Sequence, residues 1–391
     1  MWALVIAGFT VSIGYGFVAP AIPLFAREFG VSLFAASAVV SVFALCRLLA
    51  GPLAGRVTAR LGERNAYVTG LLIVAVTTGA CAAANQYWQL LALRAVAGAG
   101  AALFAVAGGT LLARSSPTHL RGRVSGLYST FFVVGGIAGP ALGALLVVID
   151  LRTPFLVYAA ALLLAVLVML VLVRGRAAAA PAPKRDETAA RFTDAVRRPA
   201  YRAALASNFA NGWASLGVRV SLVPLFVAKG LSVGESWAAA ALTASAVGTA
   251  GVLLIAGAWA DRAGRKPPLI AGLALVGGSS LAMGLTEHVA PFLVLAVLGG
   301  AGSGLLTPPL NASVADVLGE HRGGGSTVMA GFQMAADAGM IVGPLVAGAL
   351  AGGVSFTAAF ASSAVCALLG VLLWWRAPET KPAPEGARVP G

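Results

Sequence analysis

Apolar runs of about twenty residues recur along the whole chain. Twelve are present, at about 2–26, 32–54, 66–84, 88–113, 125–149, 154–173, 203–228, 236–258, 268–286, 290–315, 325–352 and 354–375. A helix of about that length spans the hydrocarbon of a bilayer. In lipid the backbone must satisfy its own hydrogen bonds, which leaves only helices and closed barrels. Continuous apolar runs, rather than short alternating segments, exclude the barrel. Charged residues are 10% of the chain, against about 25% in a soluble domain. The first run lacks a basic flank and eleven more follow it, so it is expected to be a retained span and not a cleaved leader.

The net charge of +13 would point a soluble chain toward nucleic acid. Its placement gives a different account. With the first loop outside, the inner connections 56–65, 114–123, 174–202, 261–266, 316–323 and the tail hold 21 of the 27 Lys and Arg. The outer connections hold Arg27, Arg152 and Lys229, and Arg47, Arg94 and Arg219 lie inside spans. That asymmetry follows the positive-inside rule and predicts a multi-pass plasma-membrane protein with both termini in the cytoplasm.

Cys46, Cys81 and Cys366 each stand alone in a span, and His119, His288 and His321 are not spaced as metal ligands. No phosphate-cradling GxxxxGK[ST] and no nucleophile–base pattern occurs, so no enzyme, metal or cofactor is expected.

Residues 174–202 are the one long polar break, and they divide the spans six and six. The expected organisation is a first bundle over 1–173, a linker over 174–202, a second bundle over 203–376 and a tail over 377–391. The two sides repeat each other. Pro23-Leu24-Phe25 recurs as Pro224-Leu225-Phe226; Gly55, Arg60 and Gly62 recur as Gly257, Arg262 and Gly264. Gly98 and Gly100 recur as Gly300 and Gly302, and Gly135, Gly139 and Pro140 as Gly339, Gly343 and Pro344, at offsets drifting from 201 to 204. Matches in one order at one slowly drifting offset indicate a duplication. The expected fold is an all-α membrane protein whose 12 transmembrane helices form two pseudo-symmetric six-helix bundles. Substrate would bind between the bundles near the midplane, and rocking would expose it to each side in turn.

These motifs resemble those of the major facilitator superfamily over essentially the whole chain. Gly55-Arg-Val-Thr-Ala-Arg60-Leu-Gly62-Glu-Arg64 is similar to the family loop GxxxDRxGRR, and Gly257-Ala-Trp-Ala-Asp261-Arg262-Ala-Gly264-Arg265-Lys266 matches it better. Arg94-Ala-Val-Ala-Gly98-Ala-Gly100 resembles the RxxxG pattern of the fourth helix. Gly126, Gly135, Gly139, Pro140 and Gly143 stand at the spacing of the fifth-helix signature of drug/proton antiporters, with Ala144 in place of the last glycine. The resemblance implies export driven by proton entry. It also implies that these residues, with both loop copies, form the conformational gate. One departure stands out: Ala59 occupies the position where the family has an acid. The resemblance assigns that acid to a contact between the halves; near a helix terminus it is worth about 0.3–1 kcal/mol.

Small residues let helices approach closely in lipid, and Pro140 adds a local bend. One reading makes the fifth helix a hinge and seal at the seam of the two halves; the other makes it close packing only.

Charge within a membrane is costly and marks function by default. Asp337 is the one acid deep in a span, at roughly 18 Å from the inner end. Arg219 and Arg94 lie at comparable depth, so the three are expected to share a central cavity and couple protons. Asp337 is the expected proton carrier; the alternative is a static Asp337–Arg219 pair. The resemblance ties Arg94 to proton coupling, whereas Arg47 is expected to be structural.

Asn208, Asn211, Ser215 and Arg219 are spaced 3, 4 and 4, which on an α-helix places them on one face. With Tyr15, Asn311 and Gln333 they form the expected substrate-binding set; Phe131 and Trp213 are weaker candidates. The first half has no deep acid, since Glu28 lies at the outer mouth.

The leading function is proton-coupled efflux of small apolar or amphipathic compounds by a monomer in the bilayer. A sugar or other polar-metabolite transporter is the alternative. It is favoured by the tail Arg376-Ala-Pro378-Glu379-Thr380-Lys381, which resembles that of sugar porters. A non-transporting membrane sensor is a third reading.

Overall fold

The computed structural model describes residues 2–115, 131, 134–136, 138–143, 145–147, 149–172, 192–234, 236–319 and 325–381. Gly126, Ala144 and the part of the linker before 192 lie outside these residues. The helices of the first half are α1 Trp2–Val18, α2 Ala21–Glu28, α3 Leu33–Leu61, α4 Glu63–Cys81, α5 Tyr87–Ser115, α6 Val134–Val147 and α7 Thr153–Leu172. After the short α8 Phe192–Arg197 come α9 Pro199–Asn211, a π-helix over Gly212–Val218, α10 Arg219–Lys229, α11 Ser236–Ala263, α12 Lys266–Met283, α13 Val289–Gly319, α14 Gly325–Gly353 and α15 Phe356–Arg376.

Among the described residues there is no strand, and every expected span coincides with a helix or a broken helix. Eight spans are long and apolar enough to cross a membrane, or nine if α1 and α2, bent by 42°, count as one. The other three expected spans fall on α4, α6 and α12. Charged Glu63, Arg64 and Lys266 sit in the first turns of α4 and α12, and the described part of α6 is short.

Local chemistry sets the ends. The Ser32 hydroxyl accepts a hydrogen bond from the Ala35 N–H at 3.2 Å and caps α3, and Ser355 caps α15 in the same way at 3.0 Å. α3 stops at Gly62 and α11 at Gly264, where φ is +78° and +98°. This left-handed backbone suits glycine. Those two glycines are repeat partners, so the duplication extends to backbone torsions.

The first span of each half is the irregular one. α1 breaks into α2 around Pro20, and α9 passes through the π-helix into α10, which contains Pro224. The glycine-rich fifth helix of each half lies against this span. A Cβ on Gly139 would stand 2.5 Å from the Ile13 carbonyl oxygen, and one on Gly343 would stand 3.0 Å from the Trp213 carbonyl oxygen. Backbone meets backbone there, which only glycine permits. The expected placement of these glycines at the seam between halves is thus corrected. Gly135, Gly139 and Gly143 face α1 of their own bundle, and Gly339 and Gly343 face the α9–π segment of theirs.

Among the described residues, contact between the halves runs mainly through α3 on α14, with α10 against α2 and α3. α3 and α14 are antiparallel: Leu33 lies by Gly352, Ser37 by Gly348 and Arg47 by Asp337. Each residue number rises on one helix as it falls on the other. The helices touch from the Gly30 end to mid-length and then part. Gly51 and Gly55 follow Arg47 on the same helical face at intervals of four, and a Cβ on either would meet nothing within 4 Å. On α14, Gln333 and Met329 precede Asp337 at the same interval and are exposed.

Candidate functional site

Where α3 and α14 part, an Arg47 guanidinium nitrogen is bonded to Asp337 Oδ1. A second contact runs from Arg47 to the Met340 sulfur at 3.9 Å. The Asp337 side chain keeps 12% of its exposure and Arg47 keeps 31%. Asp337 is therefore buried and Arg47 half-buried, at the apex of the gap between the described faces of α3 and α14. This corrects the expected partner: Asp337 pairs with Arg47, not with Arg219. The antiparallel register brings residues 290 apart in sequence to one level, and no local pattern reveals that.

Arg94 and Arg219 lie inside their own bundles. Arg94 is 3% exposed, with its guanidinium 4.3 Å above the Phe43 ring. Tyr15 of α1, Cys81 of α4 and Tyr158 of α7 lie within range of its charge. The Tyr158 hydroxyl donates to the Val11 carbonyl at 3.3 Å. Arg219 donates to the Ser303 hydroxyl of α13 at 3.3 Å, and Ser303 and Ser215 share a hydrogen bond of 2.6 Å. Each half thus places one guanidinium between its first and fourth spans. The fourth span carries it in one half and the first span carries it in the other.

The π-helix also divides the expected polar stripe. Its i→i+5 bonding takes more residues per turn than an α-helix, so faces read on α spacing rotate. Asn208 turns to α14 and donates to the Phe332 carbonyl at 2.7 Å. Ser215 and Arg219 turn to α13. The buried Asn211 Oδ1 has no hydrogen-bond partner, and Trp213 donates to Ser362 at 3.3 Å. Asn311 and Gln333 are exposed on α13 and α14, Tyr15 is half-buried, and Phe131 makes an edge contact with Phe9 at 6.1 Å.

The two loop copies do similar work. Lys266 donates to the Trp375 and Ala377 carbonyls at 3.0 and 3.1 Å, holding the end of α15. Arg64, its repeat partner, donates to the Leu170 carbonyl near the end of α7 at 2.9 Å. A cation at a helix C-terminus is favourable. Asp261 pairs with Arg265 at 2.6 Å, not with Arg262, and Arg265 also reaches Asp316 of α13 at 3.2 Å. Arg60 and Arg262 are exposed, and a Cβ on Gly257 would meet nothing within 4 Å. Ala59, the counterpart of Asp261, leaves the first half without that acid. Glu379 of the tail accepts from the backbone N–H groups of Arg265, Lys266, Thr380 and Lys381 at 2.8–3.1 Å. Burial raises its pKa, but those donors outweigh it and hold the carboxyl below the usual glutamate range. Sequence reasoning missed this clamp, although Arg64 and Lys266 at repeat offset were a visible signal.

The model described as the Major Facilitator Superfamily matches residues 4–222 and again 204–390. The chain belongs to this superfamily. The double match agrees with the duplication seen in the glycines. Among relatives of this facilitator, the "Multi-drug resistance efflux pump PmrA homolog" of Lactococcus lactis subsp. lactis (strain IL1403) is 25% identical over 372 residues, 93% of this chain and 91% of that protein. The "Quinolone resistance protein NorA" of Staphylococcus aureus (strain Mu50 / ATCC 700699) is 26% identical over 147 residues, 38% of each. Among solved structures, a bacterial homolog of the human lysosomal transporter Spinster, in an inward-facing and occupied conformation, has a TM-score of 0.75 at 16% identity. The match covers 96% of this chain and 95% of that one. A D-xylose-proton symporter has a TM-score of 0.73 at 16% identity, covering 97% and 98%. These structures share the facilitator fold; at such identity they indicate nothing about cargo. The facilitator is a transporter of small molecules in a membrane and not an enzyme.

Proposed function

We propose that this facilitator is a proton-coupled exporter of small apolar or amphipathic compounds, with Asp337 as the proton carrier and Arg47 as its switching partner. The single observation that carries the reading is the Arg47–Asp337 pair at the apex of the opening. The efflux pumps among its relatives support the cargo class.

On this reading 1–173 and 203–376 rock as two bundles, the Gly30 end faces outward and both termini are cytoplasmic. The described state is then closed outside and open inside. A carboxylate beside a guanidinium favours its charged form, while burial without a partner favours the neutral form. Inward opening sets Arg47 against Asp337 and releases the proton to the cytoplasm. Outward opening draws α3 from α14, and Asp337 takes a proton from outside. Net proton entry drives export.

The sugar-porter alternative rests on the tail motif, and the efflux pumps among the relatives favour the export reading over it. Export of a panel of dyes and antibiotics, with and without an uncoupler, tests the proposal. Uncoupler-sensitive export is expected, and unaltered accumulation of every compound rejects it.

A further inference from the structure

Buried serines in this chain usually find a carbonyl. Ser207, Ser245 and Ser303 donate to the carbonyl four residues back at 2.8–3.1 Å, and Ser313 to the one three back at 2.9 Å. Ser37 and Ser41 of α3 do not. They are 0% and 2% exposed, and neither hydroxyl has a hydrogen-bond partner. Ser363, inside the second bundle, is the one other such serine among the described residues. A hydroxyl buried without a partner loses its bonds to water and gains nothing in return.

Both serines stand on the seam between the halves. They are four residues apart, hence on one face of α3, and Ser37 lies against Gly348 of α14, which has no side chain to answer it. The antiparallel register that sets Leu33 by Gly352 and Ser37 by Gly348 puts Ser41 level with Pro344. Pro344 has no N–H, so the Met340 carbonyl lacks its usual helical donor. The seam thus holds two unbonded hydroxyls, and a carbonyl short of its usual donor one turn of α14 from the second. Arg47 follows Ser41 by six residues, about 9 Å along the helix, so the row leads to the Arg47–Asp337 pair. Water is the partner these groups lack, and it reaches them only when α3 and α14 part.

We infer that Ser37 and Ser41 ease the parting of α3 from α14 at the Gly30 end and then hold water in the gap, which makes a wet route to Asp337. Their unmet hydrogen bonds penalise the closed seam, and hydration removes that penalty when the helices separate. They are positioning residues: they act through water and give up no proton of their own. That the water comes from outside and supplies the proton of Asp337 rests on the export reading. That it enters between these two helices does not.

The test is hydrogen–deuterium exchange of the full-length protein in detergent, read on peptides spanning 33–47 and 337–352, together with thermal unfolding. Backbone amides exchange when a local opening admits water. Ser37→Ala/Ser41→Ala is expected to exchange several-fold more slowly than the parent over both peptides and at the parent rate over α12. Its Tm is expected at or above the parent value, because a buried methyl has no hydrogen bond to miss. Ser41→Ala alone is expected to move the same way by less. If the hydroxyls instead hold the seam closed, the double variant has a lower Tm and faster exchange, and that result overturns the inference. Exchange unchanged over both peptides overturns it too. Neither measurement involves cargo or a proton gradient, so a lack of export leaves this result standing, and failure here leaves the export reading to its own test.

Discussion

Arg47 and Asp337 meet at the last level where α3 and α14 touch, and beyond them both helix faces are bare. The pair joins the two halves and stands where the described contact between α3 and α14 ends. Asp337→Asn is expected to abolish proton uptake in proteoliposomes while leaving the fold intact, since the amide matches the acid in shape. Uptake at the parent rate in that variant removes Asp337 as carrier. Arg47→Ala leaves the buried Asp337 carboxylate without its half-buried partner. The cost of breaking a fully buried pair is about 3–5 kcal/mol; at this exposure about 1–3 kcal/mol is expected. The double variant Arg47→Ala/Asp337→Ala is expected to lose less stability than the sum of the singles, which a double-mutant cycle on unfolding measures.

The glycines fall into two classes that one comparison separates. Gly139 lies against the Ile13 carbonyl, so Gly139→Leu forces α6 from α1. Overpacking of this kind costs about 1–3 kcal/mol or more, and a reduced yield of folded protein is expected along with lost export. Gly51 has open space before it. Gly51→Leu is expected to keep the parent Tm and still lose export, because that face must close against α14 when the halves rock. Fluorescence-detected size exclusion and dye efflux on the two variants check this. Full export by Gly51→Leu would mean that the bare face never closes.

The fold was legible because it depends on local rules. Apolar length and repeated glycines read directly onto α1–α15 and the duplication. The site was only partly legible. Asp337 stands out as the one deep acid, yet its partner lies on α3, fixed by an antiparallel register that neither helix encodes alone. The stripe from Asn208 to Arg219 was misread for a local reason: the π-helix over Gly212–Val218 changes the turn, so α spacing assigns the wrong faces. The fifth-helix glycines were recognised, but their spacing says that something approaches closely without saying what.

Glu379 gives the tail clamp a defined pH dependence. Its folded-state pKa lies below the ordinary value of 4.5. A depressed carboxyl stabilises the folded state above its unfolded pKa, and that stability is lost as pH falls through the folded value. Unfolding midpoints of the parent and Glu379→Gln are therefore expected to differ at neutral pH, with the parent higher, and to converge below pH 4.5. The difference is small because the residue is exposed. Coincident curves at pH 7 would show that the clamp adds nothing to stability.

Rocking itself is testable at the Gly30 end. A Cβ on Gly348 would stand 2.9 Å from the Ser37 Cβ, so the pair lies within bridging range once the backbones ease apart slightly. With Cys46, Cys81 and Cys366 first replaced, Ser37→Cys/Gly348→Cys is expected to crosslink α3 to α14 on oxidation. If transport requires these helices to separate at that end, export stops on oxidation and returns on reduction, while each single-cysteine variant stays active throughout. The crosslinked fraction, read by gel shift after cleavage in the 174–191 segment, should equal the fraction of export lost. Undiminished export from fully crosslinked protein would mean that cargo crosses without the two bundles parting, and the role given to Arg47 and Asp337 would fail with it.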